Sequence, residues 1–91
     1  MNDLTDPKYT VVIGRGARKA LAAIDDAKTR ARVALKIEAL GGDPRPPGSA
    51  KLKGSDNYRV RQGTFRIIYS IDDGVLTVEV IDIGHRRDVY R

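Results

Sequence analysis

The chain has 91 residues, the size of one domain, so we expect a single domain over residues 1–91 built on one compact core. It has no cysteine and one histidine, which excludes disulfides, a thiol nucleophile, a zinc cage and a multi-histidine metal site within one chain. No apolar run reaches the ~18 residues of a membrane span and the start lacks a signal-peptide pattern, so a cytoplasmic protein is expected. The net charge of +5 predicts a negatively charged partner.

The N-terminal half begins with a short strand followed by a helix. Residues 8–13 are β-branched and aromatic and stop at Gly14, which predicts the strand. Apolar residues then recur at the spacing of an amphipathic helix, which predicts a helix that begins near Ala17. Its apolar positions are Ala17, Ala20, Leu21 and Ile24.

A second helix follows after a minimal break. Asp25 and Asp26 can each cap its first turn, and negative charge stabilises that end of a helix. The apolar periodicity runs to about Leu40, and Gly41-Gly42 ends the helix. Two helices joined by so short a connection form a helical hairpin.

The C-terminal half predicts a loop and three strands. Residues 43–49 contain three of the four prolines of the chain and form a loop of extended character. The strands are expected over residues 57–62, 65–71 and 75–83, with turns at Gly63 and at Asp72-Asp73-Gly74. The last run is apolar at nearly every position, as a central strand covered on both faces would be. The order β-α-α-β-β-β predicts an α+β fold, a small, mainly antiparallel sheet with the helical hairpin packed on one face.

Positive charge is concentrated in one stretch of this half. Residues 45–66 include six basic residues and one acid, Asp56. Their net charge of +5 equals that of the whole chain. A negatively charged partner is therefore expected to meet this stretch. The alternative is a solvated basic surface without a partner. The basic residues are Arg45, Lys51, Lys53, Arg59, Arg61 and Arg66.

Strand alternation groups three of these arginines on one face. Arg59 and Arg61 point the same way, and the residue between them points towards the core. Antiparallel pairing of the two strands brings Arg66 beside Arg61. Like charges gathered on an uncovered face repel one another, whereas a phosphate matches the guanidinium groups. The alternative is that they are ordinary solvent-facing residues, paired with Glu79 or Asp82 of the last strand.

The C-terminal segment is the other unusual feature. Gly84 breaks the last strand, and His85-Arg86-Arg87 follows with Tyr90 nearby. An aromatic ring beside arginines can stack an unpaired base, although a hydrophobic lid that tethers the tail explains Tyr90 as well. Imidazole titrates near neutral pH, but a histidine at a strand end is more often a surface residue than a catalyst.

In this combination, the segments resemble a known family. Lys51-Leu-Lys-Gly54, Tyr58-Arg-Val-Arg61, Phe65-Arg-Ile-Ile-Tyr69 and Val80-Ile-Asp-Ile-Gly-His-Arg-Arg-Asp-Val-Tyr90 are similar to the RelE branch of the RelE/ParE toxin superfamily, and the resemblance covers essentially the whole chain. It implies the toxin of a bacterial type II toxin–antitoxin pair, a ribosome-dependent endoribonuclease that cleaves messenger RNA in the ribosomal A site. It also implies metal-independent attack by the 2′-hydroxyl on the adjacent phosphate, so the protein positions the RNA, stabilises charge and moves protons.

The resemblance also implies roles for individual residues. Arg59 and Arg61 match two basic residues, often lysines, that flank the scissile phosphate. Arg66 matches the arginine that stabilises the transition state. Arg86 matches a tail arginine near the leaving 5′-oxygen, and Tyr90 matches a tyrosine that orients the substrate.

The general base is left open by these matches. Arg61 cannot act as a base where a lysine could, because the pKa of arginine lies above ~12. Either its role is purely electrostatic or the base lies elsewhere, and by chemistry His85 is the candidate proton shuttle. Four further basic residues are expected to bind RNA, namely Arg45, Lys51, Lys53 and Arg87.

Two other functions fit the same sequence. A ParE-like protein would poison DNA gyrase without cutting nucleic acid, because a fold does not fix a function. A plain RNA- or DNA-binding module would show salt-sensitive binding and no toxicity. For either toxin, the expected partner is a cognate antitoxin protein whose acidic or amphipathic segment covers the basic face or displaces the tail. The nuclease would also bind the ribosome and messenger RNA, and no metal, small-molecule cofactor or membrane is expected.

Overall fold

The computed structural model describes residues 8–85 and shows the predicted order of elements with one added strand. The elements are β1 (Thr10–Ile13), α1 (Arg15–Ala22), α2 (Ala27–Ala39), β2 (Ala50–Lys51), β3 (Tyr58–Gln62), β4 (Phe65–Asp72) and β5 (Thr77–His85). The strands form one sheet in the order β1-β5-β4-β3-β2, in which β1 is parallel to β5 and the other pairs are antiparallel. The predicted α+β fold is confirmed. Within residues 8–85, neither helix is long and apolar enough to cross a membrane.

Several element boundaries differ from the sequence prediction. The last strand continues through Gly84 to His85, so the expectation that Gly84 breaks it is wrong. The strand β2 was missed because two residues are too few to show an alternating pattern. The helix α1 begins at Arg15, two residues before the first apolar position of its pattern. The last strand begins at Thr77 rather than at Val75, because the hairpin turn is longer than predicted and includes Leu76 with a φ of +49°.

The start of α2 follows directly from its local sequence. Asp26 is the N-cap, and its carboxylate accepts hydrogen bonds from the hydroxyl of Thr29 and from the backbone N–H of Thr29 at 3.2 Å. These two bonds hold the pKa of Asp26 below its usual value, and the bond from the hydroxyl is the larger cause. Of the two acids that could cap the helix, the structure therefore selects Asp26 rather than Asp25.

The core lies between the helices and one face of the sheet. Tyr69 of β4 is its largest fully buried side chain, and burial raises the pKa of its hydroxyl. That hydroxyl donates a hydrogen bond to the carbonyl of Pro44 at 2.7 Å, which fastens the proline-containing loop over the core. The predicted helix-facing side of β4 is confirmed, since Ile67 is fully buried and Phe65 and Ile71 pack against the core. The other fully buried side chains are Leu40, Val33, Val60, Val78 and Val80.

The strand β5 contains a β-bulge in its middle. Val80 is paired with Tyr69 of β4, whereas Asp82 is paired with Ile68. Between these two pairs, β4 advances by one residue and β5 by two, so Ile81 is the extra residue of β5. From Asp82 to the end of the strand the pairing is regular again.

The bulge reverses which side chains of β5 face the core. Val78 and Val80 are fully buried, so strict alternation would direct Asp82 into the core as well. The extra residue instead places Asp82 on the exposed face and Ile83, which is 5% exposed, in the core. The prediction that this strand is covered on both faces is wrong, because Ile81 is 40% exposed.

Candidate nucleic-acid interface

The arginines singled out in the sequence lie together on the sheet. We call the side of the sheet away from the helices the open face, and Arg59, Arg61 and Arg66 together the arginine triad. Arg61 of β3 is directly opposite Arg66 of β4, and Arg59 is opposite Ile68. Val60, between the two arginines of β3, is buried in the core at 2% exposure, so its neighbours point to the open face. The register therefore agrees with the predicted side-by-side placement of Arg61 and Arg66.

The members of the arginine triad differ in burial. Arg61 is exposed and Arg59 is half-buried, but Arg66 is only 6% exposed. The expectation that all three lie on an uncovered surface is therefore wrong for Arg66. This arginine sits on a central strand between Arg61 and Gly84, its partners on β3 and β5. A guanidinium group held away from water attracts an anion more strongly than one at the surface.

Two exposed carboxylates of β5 share the open face with the triad, in addition to Asp72 at the far end of β4. Asp82 is opposite Ile68, and Glu79 is opposite Ser70 further along β5. One carboxylate oxygen of Asp82 accepts a hydrogen bond from the backbone N–H of Ile83 at 2.9 Å, which fixes the side chain beside its own backbone. The open face thus combines three guanidinium groups with acceptor-only groups, so it can bind an anion and accept hydrogen bonds at neighbouring points.

The structure does not bring His85 to the arginine triad. His85 is paired with Phe65 at the end of β5, and the two rings meet edge to face with their centroids 5.5 Å apart. Because Phe65 packs on the core side, the imidazole lies on the helix-bearing side of the sheet. There it lines a groove of about 510 Å³ together with residues that include Ile24 and Asp26. The pairing of His85 with Phe65 determines this side, and it depends on the bulge in β5, which the local sequence pattern does not show.

Arg45 belongs to a separate cluster at the far end of β4. Its guanidinium group forms an ion pair with Asp73 at 3.0 Å and lies 5.4 Å from the ring centroid of Tyr58. Hydrogen bonds from Arg45 and from the hydroxyl of Tyr9 lower the pKa of Asp73, and the bond to Asp73 raises the pKa of Tyr9. The turn that holds Asp73 and the turn at Gly63 are at opposite ends of β4, so Arg45 is remote from the Arg61–Arg66 pair. Its observed contacts join the proline-containing loop to the β4–β5 turn.

The predicted RNA-binding lysines lie at the edge of the sheet. Lys51 is paired with Tyr58, which directs it to the helix-bearing side, and its ammonium group is 3.7 Å from the carboxylate of Asp56. Lys53 is exposed in the turn that follows β2. The remaining predicted site residues, Arg86, Arg87 and Tyr90, lie outside the described residues.

Positive charge is also present on the helical hairpin, which the charge count along the sequence did not reveal. Residues 8–42 contain eight basic and three acidic residues, so this segment carries as much excess positive charge as residues 45–66. The charges outside residues 45–66 nevertheless sum to zero, largely because residues 67–85 contain four acids and no lysine or arginine. The expectation that one stretch carries the whole excess is therefore wrong. The protein presents a basic helical surface as well as the open face.

Comparison with known proteins assigns the chain to a family. Residues 11–90 match the profile of a family described as the ParE toxin of the type II toxin–antitoxin system parDE. The toxin RelG of Mycobacterium tuberculosis is 31% identical over 84 residues, covering 91% of this chain and 97% of that protein. The toxin RelE of the same organism is 30% identical over 87 residues, covering 94% of this chain and 90% of that protein.

Solved structures show the same similarity in three dimensions. The toxin–antitoxin complex RelBE2 of Mycobacterium tuberculosis contains a chain with a TM-score of 0.77 and 29% identity, covering 88% of this chain and 99% of that one. The archaeal RelE–RelB complex of Pyrococcus horikoshii also gives a TM-score of 0.77, with 27% identity and coverage of 87% and 96%. Both neighbours were solved in complex with an antitoxin.

Proposed function

This chain belongs to the RelE/ParE superfamily as a RelE-type toxin of type II toxin–antitoxin systems, and on that premise we propose that it is a ribosome-dependent endoribonuclease that inhibits translation. The observation that carries this proposal is the arginine triad, in which Arg61 is directly opposite Arg66 with Arg59 on the same face. Three guanidinium groups on one face match the negative charge of a phosphodiester, and each planar guanidinium can bind its two non-bridging oxygens.

The proposed reaction uses the RNA as its own nucleophile. The 2′-hydroxyl attacks the adjacent phosphate, and the P–O5′ bond breaks to leave a 2′,3′-cyclic phosphate and a 5′-hydroxyl. Negative charge grows on the phosphate oxygens in the transition state, where preorganised donors stabilise it most. Arg66 is the strongest donor in this proposal, because it is the most buried of the triad. Exposed Arg61 and half-buried Arg59 hold the phosphate from β3.

The ribosome supplies positioning in this proposal. The open face of a sheet is shallow, so it can hold a phosphate but cannot by itself enclose and orient a nucleotide. Messenger RNA held in the A site arrives already ordered, which lowers the entropic cost of aligning the 2′-hydroxyl with the phosphate. The tail residues Arg86 and Tyr90 are proposed to act at the leaving oxygen and on the base, as the family resemblance implies.

A cognate antitoxin is the proposed protein partner. Two of the solved neighbours are the toxin–antitoxin complex RelBE2 and an archaeal RelE–RelB complex. For this chain we expect an antitoxin with an acidic segment that covers the arginine triad, because complementary charge gives fast and specific association. Mixed with the toxin, such a partner would block cleavage and phosphate binding together.

Gyrase inhibition is the alternative, because the matching family profile bears the ParE name. The arginine triad favours RNA cleavage, since a guanidinium group held away from water is suited to stabilising charge that develops in a transition state. Purified protein tested in parallel on translating ribosomes and on gyrase supercoiling separates the two functions. We expect message cleavage and unimpaired supercoiling, and the reverse pattern would replace our proposal with the alternative.

A further inference from the structure

The proposed cleavage requires a group that removes the proton from the 2′-hydroxyl. The arginine triad cannot accept it, because a guanidinium stays protonated up to a pH above ~12. His85 lies on the helix-bearing side of the sheet, against Phe65, and so faces away from the triad. Among the described strand residues, the carboxylates on the open face are those of Asp82, Glu79 and Asp72. Asp72 lies at the far end of β4 and accepts hydrogen bonds from the backbone of the β4–β5 turn, which leaves Asp82 and Glu79 as the candidates.

Asp82 lies next to the phosphate-binding arginines. Arg66 is paired with Gly84, and Asp82 is two residues before Gly84 on the same strand. Such diagonal neighbours in an antiparallel pair are about 7–8 Å apart, which long side chains easily span. Arg59 lies in the same row as Asp82 with Ile68 between them, so the strand spacing separates their backbones by about 10 Å. A phosphate bound by both arginines would bring its attached ribose close to the carboxylate.

The β-bulge is an independent observation that points to the same residue. In a regular strand with no bulge, the alternation set by Val78 and Val80 would direct Asp82 towards the core. Bulges occur preferentially beside active sites, where they redirect a side chain. Here the irregularity turns one carboxylate to the face that holds the arginine triad, and the ladder becomes regular again from that residue onwards.

We propose that Asp82 is the general base of the RNA cleavage reaction, an inference that rests on the proposed nuclease function. Its carboxylate accepts the proton of the 2′-hydroxyl as the O2′–P bond forms. The P–O5′ bond then breaks, the departing 5′-oxygen takes a proton from solvent, and Asp82 returns its proton to solvent. The charged groups that face Asp82 in the described structure are Arg66 from β4, Arg59 from β3 and Glu79 from its own strand.

Glu79 provides the matched control. It is also an exposed carboxylate on the open face of β5, but it is paired with Ser70 and with Val12 of the edge strand β1. The bulge separates it from the regular segment that joins Asp82 to Arg66. Glu79→Gln therefore removes the same charge from the same strand without removing the proposed base.

The test compares single-turnover cleavage of a message on programmed ribosomes by the wild type, Asp82→Asn, Asp82→Glu and Glu79→Gln. Asparagine keeps an oxygen that can accept the hydrogen bond from the Ile83 N–H, so this variant retains the local backbone contact. We expect Asp82→Asn to cleave on the order of 10²–10⁴-fold more slowly, the usual contribution of a general base. Asp82→Glu should recover part of the rate, and Glu79→Gln should match the wild type.

The pH dependence distinguishes a base from a residue that only supports the fold. Wild-type cleavage should slow on acidification as the base takes up a proton, and Asp82→Asn should lose this acid limb. Equal rates and equal pH profiles for the wild type and Asp82→Asn would overturn the assignment and leave the nuclease proposal intact. A slow Asp82→Asn variant that keeps the wild-type acid limb would also overturn it. A wild type that cuts no message on ribosomes would instead contradict the proposed function itself.

Discussion

Replacing Arg61 with glutamine separates the function of the arginine triad from the stability of the fold. Arg61 is exposed, and its direct neighbour across the β3–β4 pair is another cation, Arg66. Surface substitutions of this kind usually change the free energy of unfolding by no more than about 0.5 kcal/mol. Relief of like charges on directly opposite residues, worth about 0.2–1 kcal/mol, acts in the stabilising direction. We therefore expect the free energy of unfolding of Arg61→Gln to lie within about 0.5 kcal/mol of that of the wild type.

The same substitution should be costly for catalysis. Removing one preorganised donor to a developing oxyanion typically lowers the rate by about 10²–10³-fold, or about 2.7–4 kcal/mol of transition-state stabilisation. The assay is single-turnover cleavage at saturating ribosome concentration, combined with thermal denaturation of the same samples. Lys19→Gln is the control, because it removes the same charge from an exposed site on α1.

Two results would refute this reasoning. Equal losses of cleavage in Arg61→Gln and Lys19→Gln would show that only net charge matters. A drop of more than about 2 kcal/mol in the stability of Arg61→Gln, beyond the range of surface substitutions, would show that the arginine supports the fold.

Three further predictions concern the fold around the site. Tyr69→Phe removes the 2.7 Å hydrogen bond to the buried carbonyl of Pro44, so unfolding should become easier by about 1–3 kcal/mol, measured by urea denaturation; an unchanged midpoint would contradict the role of this bond. Leu40→Ala empties a fully buried position and should cost about 2–5 kcal/mol in the same assay, whereas Leu35→Ala at an exposed site should cost little. The pKa of Asp73 is lowered in the folded state. The ionised carboxylate therefore contributes fully to stability above the unfolded pKa of about 3.9. That contribution is lost as the pH falls through the lower pKa of the folded state. Asp73→Asn should therefore flatten the acid side of the curve of melting temperature against pH, and an unchanged curve would show that the Arg45–Asp73 pair does not stabilise the fold.

The sequence was sufficient for the parts of the fold that repeat a simple pattern. Alternation through Val60 placed Arg59 and Arg61 on one face, and the short turn at Gly63 set the register that pairs Arg61 with Arg66. Helical periodicity and the acids before α2 likewise located the hairpin, with Asp26 as its cap. These features depend on neighbours within a few residues, which is the range over which a sequence pattern carries information.

The remaining features depend on contacts between distant segments. An apolar run such as residues 75–83 does not show where a bulge falls, so the orientation of Asp82 could not be predicted from it. The side on which His85 lies follows from its pairing with Phe65, twenty residues earlier. The burial of Arg66 depends on the strands that flank β4, and the role of Arg45 on its contact with Asp73. None of these partners is visible in local spacing.

The most direct test of the account is to incubate the purified protein with ribosomes that hold a defined message and to map the message by primer extension. The proposed function predicts cleavage in the A-site codon, with a 2′,3′-cyclic phosphate on the upstream fragment and none of this product with Arg66→Ala. Free RNA without ribosomes should be cut far more slowly. Cleavage by Arg66→Ala equal to that of the wild type would remove the buried arginine from the mechanism. An intact message on ribosomes would contradict the proposed nuclease function.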